Sequence, residues 1–188
     1  MKTTVEISDA LLERARRHAR KVGRPLRALI EEGLQHVLER DGTAAALDTN
    51  VLVYAHRREA REHAAARDLV RRLAEGERPW AIPWPCVYEF FGVVTNARIW
   101  KDAASTPDEA WAQIDAWLAA PSVRLLSEPD GFGDVLARFV RRPCVRGPVV
   151  HDARVAALCV APGVERLLTR DRDFALFPEL ATRDPFAN

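Results

Sequence analysis

The sequence predicts an α/β protein in which helices flank a parallel sheet, preceded by a small helical segment at the N-terminus. Two observations support this prediction. From residue 47 onward, short apolar runs typical of strands alternate with longer runs that have helical spacing. Residues 1–40 instead contain one alternating run followed by two amphipathic runs, and residues 41–46 form a short joint rich in small residues.

Composition narrows the class of protein. The chain has 188 residues, of which 48% are hydrophobic, so it can bury a core. Its net charge of +1 gives no indication of a partner. No apolar run reaches the roughly 18 residues of a membrane span, so we expect a soluble, cytoplasmic protein without a membrane partner. The three cysteines are too widely spaced for a disulfide framework or a zinc site, and we expect them to be buried.

The first forty residues predict a strand and two helices. Residues 2–7 alternate polar and apolar side chains, as in a strand. Ser8 is a good N-cap for a helix that Gly23 ends, and Pro25 begins a second amphipathic helix. A lone strand and two helices of this length cannot bury their apolar faces alone. We therefore expect this segment to pair with its own copy, making the protein a homodimer or a higher homo-oligomer.

The remaining elements alternate in the order expected of a parallel sheet covered by helices. The apolar run at 47–55 reads as a strand edge, and further strands are predicted at 81–84, 123–126 and 166–169. Helices are predicted at about 63–74, from residue 85, near 107–119 and 131–141, and at 152–160. In such sheets ligands bind at the carboxyl ends of the strands.

Four acidic residues stand at the edges of these apolar runs, namely Asp48, Glu89, Asp152 and Asp171. A carboxylate beside a buried segment costs free energy unless it is paired or binds a cation. If the four converge, they form an oxygen-lined site that suits Mg²⁺ or Mn²⁺ better than zinc. Each acid also has a simpler explanation, as a helix N-cap, a turn residue or an ion-pair partner of a neighbouring arginine.

Basic and aromatic residues offer contacts for a nucleic acid. An acid-free basic stretch precedes Asp152, and with one arginine beyond it forms a candidate track for RNA phosphates: Arg138, Arg141, Arg142, Arg146 and Arg154. The alternative is a solvated face. His151 is more simply explained as a packed or hydrogen-bonding residue than as a base, and core packing explains Trp80, Trp84 and Trp100 better than base stacking does.

Residues 46–188 resemble the PIN-domain ribonucleases, specifically the toxin half of VapBC toxin–antitoxin pairs. The resemblance rests on LeuAspThrAsn at 47–50, TyrGluPhe at 88–90, ValHisAspAlaArgValAlaAla at 150–157 and LeuLeuThrArgAspArgAspPhe at 167–174. It implies a Mg²⁺- or Mn²⁺-dependent endoribonuclease, a hydrolase acting on tRNA or ribosomal RNA. The implied catalytic and metal-binding acids are Asp48, Glu89, Asp152 and Asp171, with Asp173 as the ambiguous neighbour of the last. Thr49 and Asn50 would shape the first loop, with Asn50 holding Asp48 by a hydrogen bond.

Residues 1–40 resemble the ribbon–helix–helix antitoxins of the VapB type. The matching stretches are MetLysThrThrValGluIleSer at 1–8 and GlyArgProLeuArgAlaLeuIleGluGluGlyLeu at 23–34. The resemblance implies a ribbon that enters the major groove of operator DNA with Lys2, Thr4 and Glu6, although Glu6 suits a phosphate-lined groove poorly. A pure dimerisation segment is the alternative. Separate antitoxins carry a further segment that plugs the toxin, and residues 41–46 leave almost no room for one. We therefore expect inhibition within the chain to be weak.

Two other functions are compatible with the same sequence. One is a DNA-binding autoregulator in which residues 47–188 form a catalytically inert PIN scaffold. The other is a PIN nuclease that acts on DNA. Metal-dependent cleavage of RNA separates both alternatives from the predicted ribonuclease.

Overall fold

The structure is a computed structural model that describes residues 6–39 and 42–187, and the chain divides into two compact units between Asp41 and Gly42. The N-terminal unit contains helix α1 (Asp9–Val22) and helix α2 (Leu26–Glu39). Gly23 ends α1 in the left-handed conformation at φ 66°, which glycine adopts without strain. Ser8 occupies the N-cap position, but its side chain makes no capping hydrogen bond.

The N-terminal unit leaves its apolar side chains partly or largely exposed. Within residues 6–34 the structure buries only Ala19, while Leu11 and Leu34 are each 55% exposed. The predicted strand at 2–7 lies mostly outside the described residues, and Glu6 and Ile7 belong to neither helix nor strand.

The C-terminal unit is built on a five-stranded sheet in which every pairing is parallel. The strands have the spatial order β3-β2-β1-β4-β5. They are β1 (Ala45–Leu47), β2 (Trp80–Pro83), β3 (Val123–Leu126), β4 (Leu167–Leu168) and β5 (Thr182–Arg183). In the central register Ala46 lies opposite both Ala81 and Leu167. The predicted parallel sheet flanked by helices is confirmed.

Seven helices connect the strands among the described residues. They are α3 (Thr49–His56), α4 (His63–Glu75), α5 (Trp84–Val94), α6 (Ala97–Trp100), α7 (Pro107–Leu118), α8 (Phe132–Val140) and α9 (Val149–Val160), with 3₁₀ turns at Lys101–Ala103 and Asp173–Leu176. Large side chains fill the core between them, including Trp80, Phe90, Phe139 and Phe177, all fully buried. None of the helices described is long and apolar enough to cross a membrane.

The structure corrects the prediction for residues 47–55. The strand there is short and ends at Leu47, and Thr49–His56 is helix α3. The run is buried on both sides of this boundary, and a continuous apolar run does not distinguish a strand from a buried helix. Strand β1 also begins inside the predicted joint at 41–46, because Ala45 already pairs with Trp80.

Two further features differ from the sequence prediction. Strand β5 was not predicted, because its two residues are exposed and carry no apolar pattern. Cys86 and Cys159 are buried as expected, whereas Cys144 is exposed.

Candidate active site

The predicted acids lie near the carboxyl edge of the sheet. Asp48 directly follows β1, Glu89 lies on the helix that follows β2, and Asp171 lies three residues beyond β4. Asp152 lies in the first turn of α9. A cavity of about 550 Å³ opens between these elements, and its lining residues are Asp48, Pro85, Tyr88, Glu89, Pro148, His151, Asp152, Arg154, Val155 and Phe174.

Asp48 is the most buried of these acids, at 7% exposure. It is the N-cap of α3, and its Oδ1 accepts a hydrogen bond of 2.8 Å from the backbone N–H of Thr49. Its Oδ2 accepts from Asn50 Nδ2 at 2.5 Å and from the Thr169 hydroxyl at 2.6 Å. The carboxylate is therefore held in one orientation, and Asn50 makes the hydrogen bond expected of it.

Thr169 connects two of the acidic segments, and the sequence analysis did not single it out. Its hydroxyl donates to Asp48 and accepts from Asn50 Nδ2 at 3.0 Å and from the backbone N–H of Asp171 at 2.8 Å. Thr169 is 3% exposed and directly follows β4. A polar residue between a buried strand and an acidic loop was the signal available in the sequence.

Glu89 reaches the site from α5 and is solvent-exposed. The Thr49 hydroxyl donates a 2.7 Å hydrogen bond to Glu89 Oε2. Since Thr49 begins α3, this bond connects the carboxylate on α5 to the residue next to Asp48. Thr49 thus orients both carboxylates, one through its backbone N–H and the other through its side chain.

Asp171 and Asp173 lie on the loop after β4, and both are exposed. The backbone N–H of Asp173 donates to Asp171 Oδ1 at 2.9 Å. The negative charge of Asp171 acts on both Asp48 and Asp152, and that of Asp173 acts on Asp152. Asp171 therefore acts on two of the other acids, as expected of the fourth member of the group.

The electrostatics of the site are those of crowded carboxylates. Burial, opposed by hydrogen bonds and reinforced by the charges of Glu89 and Asp171, raises the pKa of Asp48 from 3.8 to about 6. Burial, followed by the charges of Asp171, Asp173 and Glu89, likewise raises the pKa of Asp152 to about 6. Among the described ion pairs, none involves any of these five acids.

These residues suit a hard divalent cation. The five acids offer oxygen atoms, and within residues 6–39 and 42–187 no arginine or lysine forms an ion pair with them, so a bound cation would relieve the repulsion. In the described part of the chain, no three His, Cys, Asp or Glu side chains already stand together as a metal-binding group. Coordination by three of these acids therefore requires side-chain movement, which the exposure of Glu89 and Asp171 permits.

The five candidate phosphate contacts have different environments. Arg154 lines the acidic cavity and pairs with Glu128 at 2.9 Å. Arg142 is instead engaged with the protein, because it donates to the Leu176 carbonyl and to Glu179 at 2.5 Å each and lies over the Phe139 ring. The others are exposed on or near the end of α8, namely Arg138, Arg141 and Arg146.

The remaining predicted residues are spread over both units. His151 is exposed and lines the cavity beside Asp152, and no hydrogen bond of its imidazole ring is found within the described part of the chain. Among the candidate DNA contacts, Glu6 is exposed in the N-terminal unit, while Lys2 and Thr4 lie outside the described residues.

Comparison with known proteins shows that residues 45–180 match the family model of the PIN domain. A VapC ribonuclease of Mycobacterium bovis is 37% identical over 139 residues, covering 74% of this chain and 93% of that protein. Ribonuclease VapC43 of Mycobacterium tuberculosis matches equally, and ribonuclease VapC48 of the same species is 33% identical over 140 residues, covering 74% of this chain and 96% of its own.

Two solved structures share the fold. VapBC2 from Rickettsia felis, bound to a DNA fragment from its promoter, matches with a TM-score of 0.53 and 17% identity over 74% of this chain and 97% of that chain. VapC20 from Mycobacterium tuberculosis, described as a toxin that cleaves the sarcin–ricin loop, matches with a TM-score of 0.53 and 17% identity. The match covers 70% of this chain and 93% of that chain. At this identity the likeness concerns the fold alone.

Proposed function

The chain belongs to the PIN-domain family, and on this basis we propose that it is a metal-dependent endoribonuclease of the VapC toxin type. The observation that carries the proposal is the convergence of Asp48, Glu89 and Asp152 on one cavity, with Asp171 close enough to repel two of them. The named activity of the VapC relatives supports RNA as the substrate.

Hydrolysis of a phosphodiester needs an activated water and stabilisation of the charge that develops on phosphorus and on the leaving oxygen. A Mg²⁺ or Mn²⁺ ion supplies Lewis-acid polarisation and a water of lowered pKa. Asp48, Glu89, Asp152 and Asp171 would hold it. Thr49, Asn50 and Thr169 hold Asp48 in one orientation, so this carboxylate loses little conformational entropy on binding the ion, whereas the exposed Glu89 and Asp171 have to move towards it.

RNA is a polyanion, so positively charged side chains around the acids are needed to bring it to the acidic site. Arg154, at the cavity wall, is placed to contact a phosphate next to the one that is cleaved, in exchange for its ion pair with Glu128. Arg138, Arg141 and Arg146 extend the same proposal along the exposed end of α8. Arg142 is left out of it, because its guanidinium is already hydrogen-bonded to the protein.

For the N-terminal unit we propose a role in dimerisation, in the manner of a ribbon–helix–helix antitoxin segment, with operator binding by Lys2, Thr4 and Glu6 as a further possibility. The support is physical: helices α1 and α2 bury little of their apolar surface within residues 6–34. The family match begins at residue 45 and does not extend to this unit.

The test of the proposed function is cleavage of tRNA, ribosomal RNA and single-stranded DNA by the full chain, with Mg²⁺, with Mn²⁺ and with EDTA. The matched pair of variants is Glu89→Gln, which removes one charge at the site, and Glu77→Gln, which removes one from the exposed loop before β2. We expect metal-dependent cleavage of RNA that Glu89→Gln abolishes and Glu77→Gln leaves intact. Cleavage of DNA alone, or equal loss in both variants, contradicts the proposal.

A further inference from the structure

A large aromatic side chain is exposed at the rim of the acidic cavity. Tyr88 lines this cavity next to Glu89 on α5 and is 61% exposed. Its ring is stacked on the half-buried Trp84, one helical turn earlier, with 5.5 Å between the ring centroids and 21° between the ring planes. Because Trp84 covers one face of the Tyr88 ring, the exposed area of Tyr88 includes the opposite face of its ring.

We propose that the exposed face of Tyr88 binds an unpaired nucleobase of the RNA substrate. This inference rests on the proposed ribonuclease function and adds a base-binding site to it. The nucleotide that carries this base lies next to the phosphate cleaved at the acidic site, because Tyr88 and Glu89 are consecutive residues on one helix.

At the rim of the acidic cavity, Tyr88 favours binding of the π-face of a nucleobase over binding of other groups. Asp48, Glu89 and Asp152 repel an anionic ligand, whereas a nucleobase is neutral and stacks on any aromatic ring. The stack on Trp84 already holds Tyr88 in place, so binding orders few additional bonds. The two rings and the base would form a continuous stack against α5.

The other aromatic candidates do not share this placement. Trp80 is fully buried, and the guanidinium of Arg57 covers the Trp100 ring at 4.1 Å. Trp111 is 49% exposed, but it lies on α7 outside the cavity, with its ring edge-on to Phe91. Among the Phe, Trp and Tyr residues of the described chain, Tyr88 is therefore the one that is both largely exposed and part of the acidic cavity.

The site restricts the substrate. A base inside a duplex is stacked on both faces and cannot reach a protein ring, so the nucleotide at Tyr88 has to be unpaired. Cleavage in single strands, loops or bulges follows, with the identity of the base weakly specified because every base has a π-face.

The test combines substitutions in the protein with abasic nucleotides in the RNA. In the full chain, Tyr88→Phe keeps the ring, Tyr88→Leu removes it, and Trp111→Leu is the control at an exposed ring outside the cavity. Each is assayed for kcat and KM on an unstructured RNA of defined cleavage site, intact or abasic at successive positions. Binding is measured by fluorescence anisotropy in an Asp152→Asn background, and oligomeric state by light scattering.

We expect Tyr88→Leu to raise KM by about 5-fold to 100-fold with little change in kcat, while Tyr88→Phe and Trp111→Leu resemble the parent. One abasic position should raise KM in the parent by a similar factor and have no further effect in Tyr88→Leu, as expected of two partners in one interaction.

Three results overturn the site: an unchanged KM in Tyr88→Leu, additive penalties at every abasic position, or a change of oligomeric state that accounts for the loss. Failure of the proposed function looks different, because the parent then cleaves no RNA under any metal. In that case the stacking site is tested by binding alone: it is supported if one abasic position weakens RNA binding and Tyr88→Leu removes that difference. Absence of RNA binding overturns the stacking site as well.

Discussion

At the scale of single residues, the candidate site depends on a threonine as much as on its acids. The Thr169 hydroxyl makes three hydrogen bonds that connect Asp48, Asn50 and the loop carrying Asp171. We expect Thr169→Val to lower kcat by about 10-fold to 100-fold, because residues that orient metal-binding carboxylates have effects of this size. RNA cleavage at saturating Mn²⁺ measures this.

Thr169→Ser is the matched control for that substitution. Serine keeps the hydroxyl and removes only a methyl group, so it should retain most of the activity. If Thr169→Val is as active as the parent, or if serine fails as badly as valine, the hydroxyl does not have the assigned role.

Asp152 gives a prediction on stability and pH. Its pKa is raised from 3.8 to about 6 in the folded protein, so its contribution to stability is favourable below pH 4 and is lost as the pH rises through 6. Asp152→Asn should therefore stabilise the metal-free protein at pH 7.5 by about 1 kcal/mol, after allowance for its partial exposure.

The measurement is chemical unfolding in EDTA, followed at several pH values between 4 and 7.5. The gain from Asp152→Asn should shrink as the pH falls through 6. The variant should also be inactive, so it separates stability from catalysis. A gain that does not depend on pH would mean that the raised pKa is not its cause.

At the scale of elements, Arg142 after α8 and Arg154 on α9 have different roles. Arg142 fastens α8 to the 3₁₀ turn at Asp173–Leu176 through the Leu176 carbonyl and Glu179, and it lies over Phe139. We expect Arg142→Ala to lower the free energy of unfolding by about 2 kcal/mol. Unfolding in urea measures this.

Arg154 should behave in the opposite way. Its ion pair with Glu128 is exposed, so Arg154→Ala should cost less than about 1 kcal/mol of stability but raise KM for RNA severalfold. Arg141→Ala, an exposed neighbour without an ion pair in the described chain, is the control for stability. If Arg142→Ala affects only KM, or Arg154→Ala only unfolding, the two roles are wrongly assigned.

The elements also show how far sequence reasoning reaches. Strands β2 and β3 and the helices α4, α5 and α7 were predicted closely, because flanking prolines, helical spacing and isolated apolar runs mark them. Helix α3 was missed because residues 51–55 form a continuous apolar run that a strand would show as well, and β5 because its pairing with β4 depends on tertiary contact alone. The acids were singled out because each stands at the edge of an apolar run. Thr169 also follows such a run, but its part in the site became evident only from its hydrogen bonds.

At the scale of the whole molecule, we expect the N-terminal unit to hold two copies of the chain together. Leu11 and Leu34 are largely exposed there, and we expect them to be covered by a second copy of the chain. The full chain should therefore be a dimer by light scattering, and the double variant Leu11→Ser and Leu34→Ser should weaken it. A monomeric parent would contradict this role.

Inhibition within the chain is a separate prediction. Strand β1 begins at Ala45, so only residues 40–44 separate it from the end of α2 at Glu39, and we expect a joint of this length to leave almost no room for an inhibitory segment. We expect the full chain and a fragment of residues 42–188 to cleave RNA with similar kcat. A silent full chain and an active fragment would show that the N-terminal unit does inhibit the nuclease.

The central claim is that carboxylates at the carboxyl edge of the sheet hold a divalent ion that cleaves RNA. The most direct test is a Mg²⁺ and Mn²⁺ titration of RNA cleavage by the full chain and by Asp48→Asn. Cleavage should require the metal, stop in EDTA, and fall by at least about 100-fold in Asp48→Asn, because the substitution removes the charge of the most buried acid. Cleavage that persists in EDTA, or that Asp48→Asn leaves unchanged, would contradict the claim.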